Sequence, residues 1–268
     1  MAIDAQPLLE LRDLSLRRAD GVPVYQDISF TMSPGEVLSI VGESGSGKSQ
    51  LLLSLLGLAM PDSRLSGSAR FLGEELVDAS PPTLQRLRGS RIAMLFQDPM
   101  TALNPFLTVR QQLVEVLAVH RGTGTAEAVE RAQQALADVE LPDPARILRQ
   151  YPHELSGGMR QRVMVAMAIL AGPSLLLADE PTTALDVTTQ ARVLDLLLRL
   201  GAEHGLSILL VTHDLGVVAR MGGRALVLQQ GRVVESGPVR ELLAAPGSEY
   251  GATLLAAVRR LEQPQDRS

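Results

Sequence analysis

Nothing in this chain restricts its folding more than the stretch VLSIVGESGSGKSQLLLSLL, residues 37–56. An apolar, strand-like run feeds directly into a loop of glycines and serines, and the loop opens an apolar helix. The loop fills the pattern G-x-x-x-x-G-K-[ST] with Gly42, Gly47, Lys48 and Ser49, and Glu43, Ser44, Gly45 and Ser46 lie between. Strand, loop and helix are the setting that pattern needs. Glycines let backbone N–H groups turn inward around an anion, and the helix N-terminus adds its dipole. Lys48 then bridges the β- and γ-phosphates of a nucleotide, and the Ser49 hydroxyl is placed to ligate Mg2+. The plain alternative, a glycine-rich turn, does not account for the lysine. Of 25 basic Lys and Arg residues it is the only lysine. An ammonium is a compact point charge, whereas a guanidinium is a wide planar fork, so a loop wrapped tightly on phosphate accepts one and rejects the other.

Composition narrows the partners. The chain carries a net charge of −5, only 3% of its residues are aromatic, and it has no tryptophan. It offers neither a basic face for a phosphate backbone nor stacking platforms for bases, so nucleic acid is not expected as a partner. The absence of cysteine excludes disulfides, thiolate zinc sites and cysteine-ligated iron–sulfur clusters. MAIDAQPLLELRDL at the start has no basic segment followed by an apolar stretch, so no secretory signal is read there. The longest apolar windows, 51–60 and 163–178, do not make membrane spans, because the first is short and Gly172-Pro173 breaks the second. The chain is expected to be soluble and cytoplasmic, and able to dock onto a membrane protein.

Along the chain, residues 8–41 alternate apolar and polar with turn signals at 19–21 and 33–35, which predicts antiparallel strands leading into the strand before the phosphate loop. A second buried strand is predicted at 91–96. From about 108 to 170 the period turns helical, with Val109, Leu113, Val116 and Leu117 on one face and Val129, Ala132, Leu136 and Val139 on another. Strands return at 174–178, 206–211 and 225–229, separated by helical patterns at 187–200 and 215–220. The fold expected is α/β: a P-loop NTPase (RecA-like) core with a mainly parallel sheet, an N-terminal antiparallel β subdomain and an inserted α-helical subdomain. One domain is expected over 1–268, with the core in 1–97 and 172–240, the helical insert in 98–171 and a helical tail in 241–268.

The run Leu175-Leu176-Leu177-Ala178 ends in Asp179-Glu180. A strand end beside a phosphate loop is where an aspartate reaches Mg2+ and the next carboxylate points towards the attacking water. Acidic residues are also common wherever a strand meets solvent, so the phosphate loop is what gives the pair its meaning.

With Gly42–Ser49, LSGGMRQR at 155–162, LLLADEPTTALD at 175–186 and LLVTHDLG at 209–216, the sequence resembles the ATPase subunit of an ABC transporter over nearly its whole length. FQDPMTALNP at 96–105 and QARVLDLLLRL at 190–200 are similar to the dipeptide, oligopeptide and nickel importer branch. The resemblance implies ATP and Mg2+ as ligands. It makes Glu180 the general base for water and Asp179, Ser49 and Gln97 the residues on Mg2+, with Gln97 also touching the attacking water. It gives His213 the γ-phosphate. Ser156-Gly157-Gly158 would serve the γ-phosphate bound to an opposite subunit, and Asp186 would couple the two sites of the pair. Without the resemblance, Gln97 reads as a surface glutamine, Ser156 as a helix cap and His213 as a structural histidine. His120, His153 and His204 fit no motif, and Met159, Met164 and Met167 read as packing residues.

The resemblance also implies partners: a second ABC ATPase, a paralogue rather than an identical chain, two transmembrane permease subunits, and through them a substrate-binding protein. It places the chain at the cytoplasmic face of a bacterial plasma membrane. The expected function is ATP hydrolysis that energises an importer of small peptides or of nickel and metal chelates. The longer oligopeptide relatives carry a cysteine-containing extension, and the shortness of this chain is more like the nickel and metal-chelate importers. Family members stack adenine on an aromatic ahead of the loop. That register falls near Ala19 here, and Tyr25 is the nearest aromatic. A DNA-repair or chromosome-structure ATPase shares the motifs but needs a long coiled coil, and no sustained heptads lie between Ser49 and Ser156. A translation-associated ATPase would need two tandem sites and a basic surface.

Overall fold

The computed structural model describes residues 6–98, 102–183, 185–253 and 255. Pro99, Met100 and Thr101 in one motif, Ala184 in another, and most of the expected tail beyond Thr253 lie outside the described residues. In chain order the elements are β1 (Leu9–Arg17), β2 (Pro23–Met32), β3 (Val37–Val41), α1 (Lys48–Leu55), β4 (Arg64–Phe71), β5 (Glu74–Glu75), α2 (Pro81–Leu87) and β6 (Ile92–Leu95). There follow α3 (Val109–Arg121), α4 (Thr125–Asp138), α5 (Pro144–Ile147), a 3-10 turn at Pro152–Glu154, α6 (Gly157–Ile169), β7 (Leu175–Asp179) and α7 (Val187–His204). The last are β8 (Ser207–Thr212), α8 (Leu215–Met221), β9 (Arg224–Gln229), β10 (Arg232–Pro238) and α9 (Val239–Ala244). Among the described residues no helix is long and apolar enough to cross a membrane.

The chain divides into two compact units, one of residues 1–80 with 209–268 and one of residues 81–208. In the first, β1 pairs antiparallel with β2 and with β4, giving a sheet of order β2-β1-β4-β5. Leu9, Leu11, Leu14 and Leu16 of β1 and Ile28, Phe30 and Met32 of β2 are buried, so the period-two alternation carries one apolar face into the core. The step from Leu11 to Leu14 breaks strict alternation. A register shift there, with Asp13 at φ 49°, restores the apolar face. In the same unit the strands run β10-β9-β3-β8, with β3 parallel to β9 and β10 antiparallel to β9. β3 and β8 have almost no polar alternation because they are buried along their length, as parallel-sheet strands are.

The second unit holds the parallel pair β6 and β7, with Ile92 opposite Leu175 and Leu95 opposite Ala178, and the helices α2 to α7. α3 is framed by its own ends. Thr108 and Gln111 form a capping box, and Gly122 closes the helix in the left-handed region. Val109, Leu113 and Leu117 are buried, as the period predicts, and each such side chain contributes about 1.5–3 kcal/mol of hydrophobic stabilisation. α4 buries Ala128, Ala132, Ala135 and Leu136 against α3 and α6. Its C-terminal carbonyls are capped from outside. The Arg162 guanidinium donates to Val139 and Glu140 O, both at 3.0 Å, and Arg199 donates to Asp138 O at 2.7 Å. Two arginines on neighbouring helices thus meet the negative end of the α4 dipole.

Candidate functional site

The phosphate loop grows out of β3. Gly42 donates its N–H to Thr212 O at the end of β8, and a Cβ at Gly42 would lie 2.1 Å from Leu228 O, so only glycine lets the chain leave the sheet here. Gly47 sits at φ 96° against the Val24 backbone, and α1 starts on the next residue. No side chain caps α1, whose N-terminal turn directs its backbone N–H groups and dipole towards the loop, an arrangement suited to an anion.

Lys48 is buried, with 5% of its surface exposed. Its Nζ donates to Gly42 O and Glu43 O, both at 2.7 Å, and to Ser46 Oγ at 3.3 Å. A buried ammonium held over a loop by that loop's own carbonyls has the charge and the donors that phosphate oxygens would need. Glu43, Ser44, Gly45 and Ser49 are exposed around it. Tyr25 does not serve as an exposed aromatic. Its ring is fully buried, its hydroxyl donates to Ser54 Oγ at 2.7 Å, and burial pushes its pKa up to about 12 against that hydrogen bond. His213 is exposed just after β8, and the next residue, Asp214, caps α8 by accepting from the N–H of Gly216 at 2.7 Å.

In the other unit, β7 ends on Asp179, which is 9% exposed, and Glu180 turns the chain with φ 43°. That left-handed backbone is unusual for a residue with a Cβ. Oε2 of the Glu180 carboxylate accepts from Thr183 Oγ1 at 2.9 Å and from Gln97 Nε2 at 3.2 Å. Gln97 and Glu180, singled out separately in the sequence, meet here. Thr183 had no signal of its own in the sequence, since its role exists only through the turn that begins at Glu180. Among the described residues no three His, Cys, Asp or Glu side chains cluster as a metal site. Within this unit the Asp179 carboxylate and the Gln97 amide offer oxygen donors of the kind a hard cation such as Mg2+ takes.

Ser156 caps α6, its Oγ accepting from Met159 N at 3.3 Å. The next two residues differ in surroundings. A Cβ on Gly158 would come 3.0 Å from the Thr189 methyl in the first turn of α7, whereas one on Gly157 would meet nothing within 4 Å. Among the described residues, then, nothing packs closely enough on Gly157 to require a glycine. Asp186 caps α7, and hydrogen bonds from the Thr189 side chain and then its N–H hold the Asp186 carboxyl below its usual range. Gln161 was also unread in the sequence. It is 1% exposed, and its Nε2 donates to Pro181 O, tying α6 to the turn after Glu180.

Comparison with known proteins points one way. Residues 25–183 match the ABC transporter family. The chain is 49% identical to the oligopeptide transport ATP-binding protein OppD of Salmonella typhimurium over 261 residues, 96% of this chain and 78% of that protein. Among solved structures, cbiO1 from Clostridium perfringens, part of the ABC transporter complex cbiONQ, is 28% identical with a TM-score of 0.79, covering 97% of each chain. The ATP-binding cassette MJ0796, in a dimeric post-hydrolysis state bound to ADP and Pi, is 30% identical with a TM-score of 0.75, covering 87% of this chain and 99% of that one. The fold is accordingly that of an ABC ATPase cassette, and this chain belongs to the ABC transporter family as an ATP-binding, ATP-hydrolysing subunit.

Proposed function

We propose that the chain powers the import of peptides, working as one of a pair of ATPases on two permease subunits at the cytoplasmic face of the plasma membrane. Lys48 and the loop Gly42–Ser49 hold the β- and γ-phosphates. Glu180 takes the proton from the attacking water; a bond forms from that oxygen to the γ-phosphorus while the bridging bond breaks and ADP leaves. Gln97 and Thr183 fix the carboxylate, and His213 steadies the γ-phosphate. Ser49, Gln97 and Asp179 are the residues for Mg2+, which when bound neutralises phosphate charge. The observation that carries this reading is the hold on Glu180 Oε2 by Gln97 and Thr183, which fixes a carboxylate at the end of β7 beside Asp179.

The pairing rests on Ser156–Gly158. Among the described residues nothing comes within 4 Å of a Cβ built on Gly157, which suits a residue approached closely by another chain's phosphate. Asp186 lies beside that contact and couples the two halves. The partner ATPase is a paralogue. A cleft of about 180 Å3 lined by Phe96, Ala102, Val116, Met164 and Met167, next to Gln97 in sequence, is an adaptable apolar seat for a permease segment. Peptides, rather than nickel or metal chelates, are the cargo, on the strength of 49% identity to a protein named for oligopeptide transport. The test is uptake of labelled oligopeptide by proteoliposomes containing the whole complex. Uptake should require ATP and stop with Glu180→Gln, which still binds ATP. Uptake of Ni2+ but not peptide would reverse the cargo assignment, and normal turnover in Glu180→Gln would remove the residue from the base role.

A further inference from the structure

Behind the phosphate loop, the end of the described chain is fastened to β10. Glu235 accepts from Gly247 N at 2.6 Å, from Ser248 N at 3.0 Å and from Ser248 Oγ at 2.5 Å. These bonds satisfy N–H groups at the start of the helical turn at 249–253. Burial pushes the Glu235 carboxyl up and the three hydrogen bonds outweigh it, so its pKa lies below the usual range. Fixed in this way, the turn lowers Tyr250 into an apolar cluster with Val41, Leu215, Val218, Ala225, Val227 and Val239. Val41 is the last residue of the strand that enters the phosphate loop.

The Tyr250 ring is 8% exposed, and its hydroxyl accepts from the backbone N–H of Glu43 at 2.9 Å, a contact spanning 207 positions of sequence. Glu43 is the residue on which the loop turns. Its carbonyl accepts from Ser46 N at 3.2 Å and from Lys48 Nζ at 2.7 Å. The residue is therefore held from both sides, its carbonyl by the loop and the lysine and its N–H by Tyr250. A free hydroxyl would serve packing no better than a phenyl ring does, so the packed ring alone gives no reason for the oxygen.

We infer that Tyr250 is a positioning residue for nucleotide binding: its hydroxyl fixes the Glu43 peptide, keeps the Lys48 cradle in place, and makes ATP and ADP affinity depend on the C-terminal segment. A loop already ordered loses less freedom when it closes on phosphate. The inference rests on the reading that Gly42–Ser49 binds the nucleotide phosphates.

ADP binding to the 268-residue chain, measured by calorimetry for the wild type, Tyr250→Phe and Lys48→Ala, tests it. Tyr250→Phe keeps the ring and removes one hydrogen bond of about 1 kcal/mol, so the ADP Kd should rise about fivefold. A hydroxyl with a structural role alone would lower the melting temperature and leave Kd unchanged. Amide exchange supplies a second readout, with faster exchange at Glu43 in Tyr250→Phe and no change along β3. Glu43→Gln keeps the backbone donor, so Tyr250→Phe must still weaken binding in that background. Wild-type affinity in Tyr250→Phe, with Lys48→Ala impaired, overturns the inference and spares the reading of the loop. Wild-type affinity in Lys48→Ala overturns the reading of the loop itself.

Discussion

Lys48→Arg tests whether the site needs a charge or a shape. The native ammonium is 5% exposed and rests on Gly42 O and Glu43 O at 2.7 Å, with Ser46 Oγ at 3.3 Å, in a loop so close to β9 that a Cβ on Gly42 would strike Leu228 O. A guanidinium keeps the charge but adds bulk in a plane, and overpacking a tight site costs about 1–3 kcal/mol. If that cost falls on the nucleotide-binding form of the loop, ATP affinity drops about 5-fold to 150-fold, because each 1.4 kcal/mol or so is a factor of ten. The part borne by the free protein lowers its melting temperature by about 2–4 °C per kcal/mol. Calorimetric titration with ATP, beside thermal unfolding of the nucleotide-free chain, separates the two. A Kd within twofold of the wild type, with an unchanged melting temperature, would show that positive charge alone suffices and refute the steric argument.

Four further outcomes are expected. Ser156→Arg should bind ADP as the wild type does in the isolated chain but lose most ATP turnover in the assembled complex, and lost binding in the isolated chain would contradict a site shared with a partner. Thr183→Val removes a donor to Glu180 Oε2 and should reduce kcat severalfold with ATP affinity unchanged, measured as steady-state turnover of the complex. Tyr25→Phe should cost about 1 kcal/mol of stability without changing nucleotide affinity. The wild type should also lose stability as pH rises from 10 towards 12, because the unfolded tyrosine ionises at its ordinary pKa of 10.0 while the folded one holds its proton to about 12; unfolding titrations should find that loss absent in Tyr25→Phe.

Strands were legible in the sequence where burial removes all polar alternation. The expected 174–178, 206–211 and 225–229 appear as β7, β8 and β9, displaced by a residue at most. α7 runs four residues beyond the expected 200, because Gly201 does not end the helix and Gly205 does, taking the left-handed C-cap. β4 and β10 were not read. RLSGSARF buries only Ala69 and Phe71, and RVVESGP has no fully buried residue, so neither carries a periodic apolar signal. Lys48, Asp179 and Glu180 stood out because their residue types and spacing are set by phosphate chemistry. Thr183, Gln161 and Tyr250 did not, because each acts through one hydrogen bond whose partner is fixed only after the chain has folded. Ser156 shows the limit of such reading: it does cap its helix, as any serine there would, and nothing in that bond reveals a second task.

The φ of 43° at Glu180 has a consequence for how this cassette ages and adapts. A left-handed residue with a Cβ gives up about 1–2 kcal/mol that glycine would not, and asparagine tolerates the region better than glutamate. Selection for thermal endurance alone would therefore drift this position towards glycine or asparagine, and each step would raise stability as it removed the carboxylate. The conformation marks a place where durability and turnover pull in opposite directions, and where a glycine or asparagine chosen for backbone stability alone would silence the chain.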